Sequence, residues 1–166
     1  MKTPSFIMLC SVALQSVPAA AQSAEQLQHP FAVLRGAYAI KDPSHAAEAY
    51  TADARIAFQY PGMPREEYVG TEAIRASIER ILKPIRPEWK LDMNFKLDPE
   101  GKSKLMRTGF YRIIVNMGDR SINSYGRFTV TFRAEDGVWR FAEDVSDIAT
   151  ETEYQNAPGP EMFAPQ

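Results

Sequence analysis

The chain is poor in the residues that carry thiol, metal and nucleophile chemistry. It has one cysteine, Cys10, and two histidines, His29 and His45, in 166 residues. A lone cysteine excludes an internal disulfide bond, and two isolated histidines without acidic or cysteine neighbours at ligand spacing do not indicate a metal site. The sequence also has no glycine-rich phosphate loop and no motif that would activate a serine nucleophile. We therefore expect no metal and no cofactor.

Charge and hydropathy argue against two further classes of partner. The 19 basic and 21 acidic residues leave a net charge of −2, and no basic cluster indicates nucleic-acid binding. The apolar run at residues 6–14 is too short and too broken to span a bilayer. We therefore expect no nucleic-acid partner and no membrane span.

The first 21 residues have the pattern of a secretory signal peptide. Lys2 supplies a positive charge, residues 6–14 supply an apolar segment, and the alanines at 19–21 form a small-residue cleavage site. Cleavage there removes Lys2 and Cys10, which leaves 18 basic against 21 acidic residues and a net charge of −3. The pattern predicts a signal peptide at 1–21 and a periplasmic or secreted protein.

The remainder has the size of one domain, which we place at 22–150, with a proline-rich tail at 151–166 that is mobile or lies along the surface. Its first half predicts three helices. Pro30 suits a first helical position, and Asp42 and Thr71 suit N-caps. The helices are expected at 31–41, after Asp42 and at 72–83, with a short strand at 54–59 and a loop at 60–69.

Residues 88–149 predict four successive antiparallel strands, so the domain is α+β with helices against one face of the sheet. Apolar and polar residues alternate in the first of these strands, which is typical of a strand with one buried face. Turns are predicted at residues 99–101, at 118–119 and at 136–137, where the sequence Asp-Gly is a strong hairpin signal.

The three turns set a register for each pair of strands. The loop at 99–101 pairs Met93 with Arg107, the loop at 118–119 pairs Arg107 with Val130, and the loop at 136–137 pairs Val130 with Glu143. All three registers place the apolar residues on one face, and a slip of one residue would reverse a strand. The registers also place Asp144 on the opposite, outer face.

Two glycines, Gly109 and Gly126, lie on the same face as these apolar residues. The predicted register places Gly109 beside Phe128 and Gly126 beside Tyr111. Glycines inside strands mark bends or close approach of a neighbour. We therefore expect a strongly curved sheet whose apolar face is concave.

The sequence resembles the nuclear transport factor 2-like superfamily, in particular its SnoaL-like and ketosteroid-isomerase-like members. The resemblance covers about residues 31–146. It lies in the segments AYAIKD at 37–42, YTADA at 50–54, GTEAIR at 70–75, GRFTV at 126–130 and DGVWR at 136–140. It implies a cone-shaped fold with a cavity between the helices and the sheet, and homodimers that pair through the outer face of the sheet.

Arg107 and Glu143 are the candidate catalytic residues, because the predicted registers place both beside Val130 on the apolar face. A carboxylate there should have a raised pKa, and a nearby arginine would lower it again. Glu143 could then act as general acid or base while Arg107 orients an anionic or carbonyl group. The alternatives are a buried structural ion pair, or two residues at the rim of the cavity whose side chains reach water. Tyr38, Trp89, Tyr111 and Ser124 are the candidate ligand-binding residues of the same cavity.

Three functions fit these observations. The first is the binding of a small, largely apolar molecule in the cavity, without an assignable reaction. The second is a cofactor-independent isomerase, cyclase or dehydratase that moves a proton next to a carbonyl group, with Glu143 as acid or base. The third is a protein-interaction module. We favour the first, because residues 57–60, where a ketosteroid isomerase has its catalytic aspartate, contain no carboxylate.

Overall fold

The computed structural model describes residues 24–59, 64–99 and 105–163, with side chains from residue 26. The predicted signal peptide at 1–21 lies outside the described residues. In chain order the elements are α1 (Ala24–Ile40), α2 (Pro43–Ala47), β1 (Tyr50–Phe58), β2 (Glu66–Val69), α3 (Thr71–Leu82), β3 (Lys90–Leu97), β4 (Met106–Asn116), β5 (Ser121–Glu135), β6 (Val138–Ile148) and α4 (Glu151–Asn156). Within these residues no helix is long and apolar enough to cross a membrane.

The described strands form one six-stranded sheet in the order β2-β1-β6-β5-β4-β3. The α+β class and the antiparallel arrangement of β3 to β6 are confirmed. The sheet as a whole is mixed, because β1 lies parallel to β6 while β2 lies antiparallel to β1. Parallel pairing is possible there because α3 and several strands separate β1 from β6 along the chain. Strand β2 lies in the segment predicted as a loop.

The helix boundaries correct two predictions. Helix α1 begins at Ala24, so Pro30 lies inside it rather than at its first position. Helix α3 has Gly70 as its N-cap, and the Thr71 hydroxyl donates to the carbonyl of Ala52 instead of capping the helix. The cap predicted for α2 is confirmed, because the Asp42 carboxylate accepts hydrogen bonds from two backbone amides of the first turn.

Helices α1 and α3 cover the concave face of the sheet, and an aromatic cluster fills the space between α1 and the sheet. Helix α1 packs on β3 and β6, and α3 packs on β1 and β2. The ring of Phe31 lies edge-on to Phe95 and to Phe141, with 4.9 Å between ring centres in both pairs. All three side chains are buried, so α1 is held to the sheet by burial of apolar area.

The register between β4 and β5 is as predicted. Arg107 faces Val130, Gly109 faces Phe128 and Gly126 faces Tyr111. At Gly126 a side-chain methyl group would collide with the Tyr111 ring. The glycine is therefore required because an aromatic ring lies directly on the backbone of the neighbouring strand.

The register predicted between β3 and β4 is wrong by six residues. Met93 faces Ile113 rather than Arg107, and Phe95 faces Tyr111. The loop is the cause, because β3 ends at Leu97 and β4 does not begin until Met106. A shift of six residues is even, so each side chain stays on its predicted face.

The register predicted between β5 and β6 holds only beside the hairpin turn. Phe132 faces Phe141 as predicted, but the register shifts at the next residue. Glu143 then faces Thr131, and Asp144 faces Val130. The extra residue is Ala142, which makes this a β-bulge, with two residues on β6 opposite one on β5. The predictions that Glu143 lies on the concave face and Asp144 on the outer face are therefore wrong.

Residues 151–163 form a C-terminal strap against the outer face and the free edge of β3. Helix α4 begins with a capping box at Thr150 and places the buried ring of Tyr154 against Tyr125 of β5. The Tyr154 hydroxyl donates to Glu161 at 2.6 Å, and the amide of Met162 donates to the carbonyl of Phe95 at 2.7 Å. The strap thus covers strand edges that would otherwise be open to pairing.

Candidate functional site

A cavity with two adjacent chambers lies between the helices and the concave face of the sheet. The inner chamber has a volume of about 70 Å³ and is walled largely by the aromatic cluster around Phe31. The outer chamber has a volume of about 350 Å³ and mainly aliphatic walls. Tyr38, Ile81, Tyr111 and Ile113 line both chambers, so the two chambers lie side by side. An outer chamber of this size lies within the usual range of ligand sites.

Asp144 places a carboxylate in the inner chamber, because the bulge at Ala142 turns it towards the concave face. The Tyr50 hydroxyl donates to Oδ2 of Asp144 at 3.0 Å, and the Ser146 hydroxyl donates to Oδ1 at 3.0 Å. Tyr50 begins β1, and Ser146 follows two residues after Asp144 on the same face of β6. The two donors hold the carboxyl group in one orientation.

Burial raises the pKa of Asp144 above its ordinary value, while the hydrogen bonds from Tyr50 and Ser146 act in the opposite direction with smaller effect. An apolar environment disfavours the charged form of a carboxyl group. The group is therefore more basic than an exposed aspartate, which is the property that a general base of moderate strength requires.

Tyr38 of α1 and Tyr111 of β4 present hydroxyl groups to the same space. Burial raises the pKa of Tyr111 to about 12 and raises the pKa of Tyr38 still further. The charge of Asp144 contributes to both shifts. At neutral pH both hydroxyls are therefore protonated and able to donate. Neither has a hydrogen-bond partner among the residues that the structure describes.

The structure brings some of the predicted site residues together and separates others. Tyr38 and Tyr111 line both chambers, and Ser124 lines the outer one. Trp89 lines neither chamber; it precedes β3, and the guanidinium of Arg86 lies 5.2 Å from the centre of its ring.

The two predicted catalytic residues do not meet in the cavity. Arg107 lies opposite Val130 but lines neither chamber, and its Nη1 donates to the carbonyl of Met106. Glu143 is exposed on the outer face, in register with Arg55 of β1.

Sequence reasoning missed the group around Asp144. Asp144 and Ser146 are two residues apart, which places both on one face of a regular strand. The spacing could be seen in the sequence. The face of β6 on which the two residues lie depends on the bulge at Ala142, which the hairpin turn does not predict. Tyr50 lies 94 residues from Asp144 in the chain, and only the parallel pairing of β1 with β6 brings the two together.

Among the described residues there is no group of three histidine, cysteine or acidic side chains that could hold a metal ion.

The fold and the site define an α+β protein with a helix-covered, curved sheet around a mostly apolar cavity. The family model for the SnoaL-like domain matches residues 22–144, so the chain belongs to the SnoaL-like domain family. No curated protein matches the chain.

Solved structures show the same fold at low sequence identity. An NTF2-like protein with a cystatin-like fold from Novosphingobium aromaticivorans is 16% identical with a TM-score of 0.56, over 76% of this chain and 82% of its own. A candidate scytalone dehydratase from the same species is 14% identical with a TM-score of 0.54, over 84% and 89%. A candidate aromatic ring hydroxylase, also from that species, is 16% identical with a TM-score of 0.57, over 82% and 92%. These likenesses confirm the nuclear transport factor 2-like fold.

Proposed function

We propose that the protein binds a small, largely apolar molecule through a carbonyl or hydroxyl oxygen. One observation carries this proposal: two protonated tyrosine hydroxyls without partners among the described residues face the same mostly apolar cavity as the half-buried carboxyl group of Asp144. The two hydroxyls can donate to an oxygen of a ligand, and the apolar walls of the cavity can bind the rest of the molecule.

Titration with 2-naphthol, followed by isothermal calorimetry, tests the binding proposal. We expect Tyr38→Phe and Tyr111→Phe each to weaken binding by about fivefold, since a hydrogen bond contributes about 1 kcal/mol. Tyr68→Phe is the matched control, because the Tyr68 hydroxyl donates to Glu66 and the residue lines neither chamber. Equal affinity for all four proteins, or no binding of 2-naphthol to any of them, would contradict the proposal.

Proton transfer by Asp144 is a second candidate function, favoured by the raised pKa of its carboxyl group opposite two hydroxyl donors. In such a step the carboxylate takes a proton from the carbon next to a ketone. The C–H electrons form a carbon–carbon double bond, and the charge moves to the carbonyl oxygen, which accepts from Tyr38 and Tyr111. Return of the proton to another carbon gives an isomerase. The base proposed at Glu143 from sequence is thereby replaced by Asp144, and Arg107 by the tyrosines.

Homodimer formation stays a prediction, and we propose a position for the interface. The C-terminal strap covers part of the outer face, and beside it Phe110 and Val145 line a groove of about 240 Å³. We expect copies to pair over this groove. Sedimentation velocity should then show a dimer at micromolar concentration that Val145→Glu converts to monomer, because the substitution would remove a charged carboxylate from water in the interface. A wild-type monomer would contradict this expectation.

A further inference from the structure

One end of the fold exposes large apolar side chains to solvent. It consists of the turn at 83–90 after α3, the β4–β5 hairpin at 116–122 and Ile148 at the end of β6, and we call it the mouth surface. Ile122 has 54% of its surface exposed, and Ile148 has 38%. Apolar side chains that are exposed close together mark a surface that binds a partner.

The exposed residues are continuous with the wall of the outer chamber. Ile122 faces Val115 across the β4–β5 pair, and Val115 lines that chamber together with Ile85 and Ile148. The polar side chains of Asn123 and Ser124 lie on the same rim. A surface that mixes apolar and polar groups in this way suits the boundary between the headgroups and the acyl chains of a bilayer.

Trp89 belongs to the mouth surface and lines neither chamber. Its side chain is half-buried, and the guanidinium of Arg86 lies 5.2 Å from the centre of its ring. Tryptophan is enriched where proteins meet the headgroup region of a membrane, because its ring is apolar and its N–H group is polar. A tryptophan beside an arginine can therefore place its ring in the apolar layer and the cation among the phosphates.

The mouth surface is cationic although the chain as a whole is acidic. The segments 83–90 and 116–122 contain four basic and two acidic residues. These residues are Lys83, Arg86, Lys90 and Arg120, with Glu88 and Asp119. Beside them, the charge of Lys41, whose Nζ donates to the carbonyls of Arg86 and Pro87, is offset by Glu151, which accepts from the Tyr125 hydroxyl. A chain with a net charge of −2 is attracted to an anionic surface only through such a local excess of cations.

We propose that the mouth surface docks on an anionic phospholipid bilayer without crossing it. Ile122, Ile148 and Trp89 enter the upper part of the acyl chains, and the basic side chains lie at the level of the phosphates. Burial of the apolar side chains favours docking, and each basic residue near an anionic membrane increases the affinity by about fivefold. The inference goes beyond the proposed function and does not depend on which molecule the cavity binds.

Sedimentation with sucrose-loaded vesicles measures the docking. We expect the protein to bind vesicles of phosphatidylcholine and phosphatidylglycerol about tenfold or more tightly than vesicles of phosphatidylcholine alone. Ile122→Asp should weaken binding by about tenfold or more, because it places a carboxylate in the apolar layer. Val69→Asp is the matched control, because Val69 has 63% of its surface exposed and lies at the other end of α3.

A second pair of variants tests the contribution of charge. Arg120→Glu should weaken binding to the anionic vesicles by about fivefold or more. Arg133→Glu changes the net charge by the same amount near the far end of β5 and should have little effect.

The two tryptophans report which end of the fold faces the bilayer. Trp89 lies on the mouth surface, whereas Trp139 follows the β5–β6 hairpin and lines a groove with Gln26 and His29 of α1. Brominated phosphatidylcholine quenches tryptophan that contacts the acyl chains. In anionic vesicles that contain it, Trp139→Phe, which keeps Trp89, should be quenched, and Trp89→Phe, which keeps Trp139, should not.

Absence of binding to the anionic vesicles would overturn the inference, and so would an equal loss of binding in Ile122→Asp and Val69→Asp. Quenching of Trp139 rather than Trp89 would also overturn it, because the bilayer would then face the end of the fold where α1 begins. The tryptophan variants are conservative, so this result does not depend on whether Ile122→Asp folds.

Discussion

Asp144→Asn is expected to abolish proton exchange at the carbon next to a bound ketone and to stabilise the protein at neutral pH. Asparagine has nearly the shape of aspartate but cannot accept a proton at this position. For 2-tetralone in deuterated water, we expect exchange of the α-protons, followed by NMR, to fall by about 100-fold to 10,000-fold, the usual contribution of a general base.

The gain in stability follows from the raised pKa of Asp144. Its folded-state pKa lies above the ordinary value, so the folded protein favours the protonated form. The contribution of this group to stability is complete below about pH 3.9 and is lost as the pH rises through the folded-state pKa. An asparagine side chain cannot ionise, so the Asp144→Asn variant should gain on the wild type across that window by about 1.4 kcal/mol for each pH unit of the shift. Urea unfolding at several pH values between about 4 and 7 measures the difference.

Glu143→Gln is the matched control, because Glu143 is the neighbouring carboxylate, lies exposed on the outer face and lines neither chamber. It should leave exchange of the α-protons nearly unchanged. Exchange that survives in Asp144→Asn, or that is lost in Glu143→Gln, would rule out Asp144 as the base. If the wild type binds 2-tetralone without exchange, the cavity is a binding site and the second candidate function is wrong.

Gly126→Ala is expected to destabilise the protein by about 1–3 kcal/mol and to weaken ligand binding at the same time. An alanine methyl group would collide with the Tyr111 ring, which lies on the backbone of β5 at this point. Overpacking of a filled region has a cost of this size. Because the Tyr111 ring must move, its hydroxyl should leave the ligand oxygen, and 2-naphthol should bind about as weakly as it does to Tyr111→Phe.

Two variants show whether the collision is the cause. Gly36→Ala places a methyl group on an exposed part of α1, where the nearest atom, Nε2 of His45, is 3.9 Å away. It should stabilise the protein by about 0.5–1 kcal/mol, as removal of a helix glycine does. The double variant Gly126→Ala/Tyr111→Ala should be less destabilised than the sum of its single changes. Strict additivity, or a stable Gly126→Ala with normal binding, would contradict the proposed packing.

The face of the sheet on which each strand residue lies could be predicted from the sequence where a short turn sets the register of the strand pair. The loop at Gly118 and Asp119 is short, and the pairing of Tyr111 with Gly126 follows from it. The register predicted across the longer loop before β4 was wrong by an even number of residues, so the residues of β3 still lie on their predicted faces. The positions of Tyr111 and Ser124 on the concave face therefore followed from alternation and turn positions, whereas that of Tyr38 on the buried face of α1 followed from the helical period.

The acid at the site could not be found in this way. Asp144 rather than Glu143 lies in the cavity because one residue, Ala142, bulges out of β6. A bulge is stabilised by packing across the sheet and against α1, and the local sequence of the hairpin also permits the regular register. The contacts of Trp89 and Arg107 could not be predicted either. Trp89 precedes β3 and Arg107 lies at the start of β4, so their contacts depend on where these strands begin.

The sequence by itself determined the α+β class, the four antiparallel strands, the concave apolar face and the two tyrosines, because periodicity and short turns act over a few residues. The tertiary structure alone decided that β1 joins β6 in parallel, that Tyr50 and Ser146 hold the carboxyl group of Asp144, and that the C-terminal strap covers the outer face. Each of these depends on packing between segments far apart in the chain, where small differences in free energy choose between registers that the local sequence allows equally.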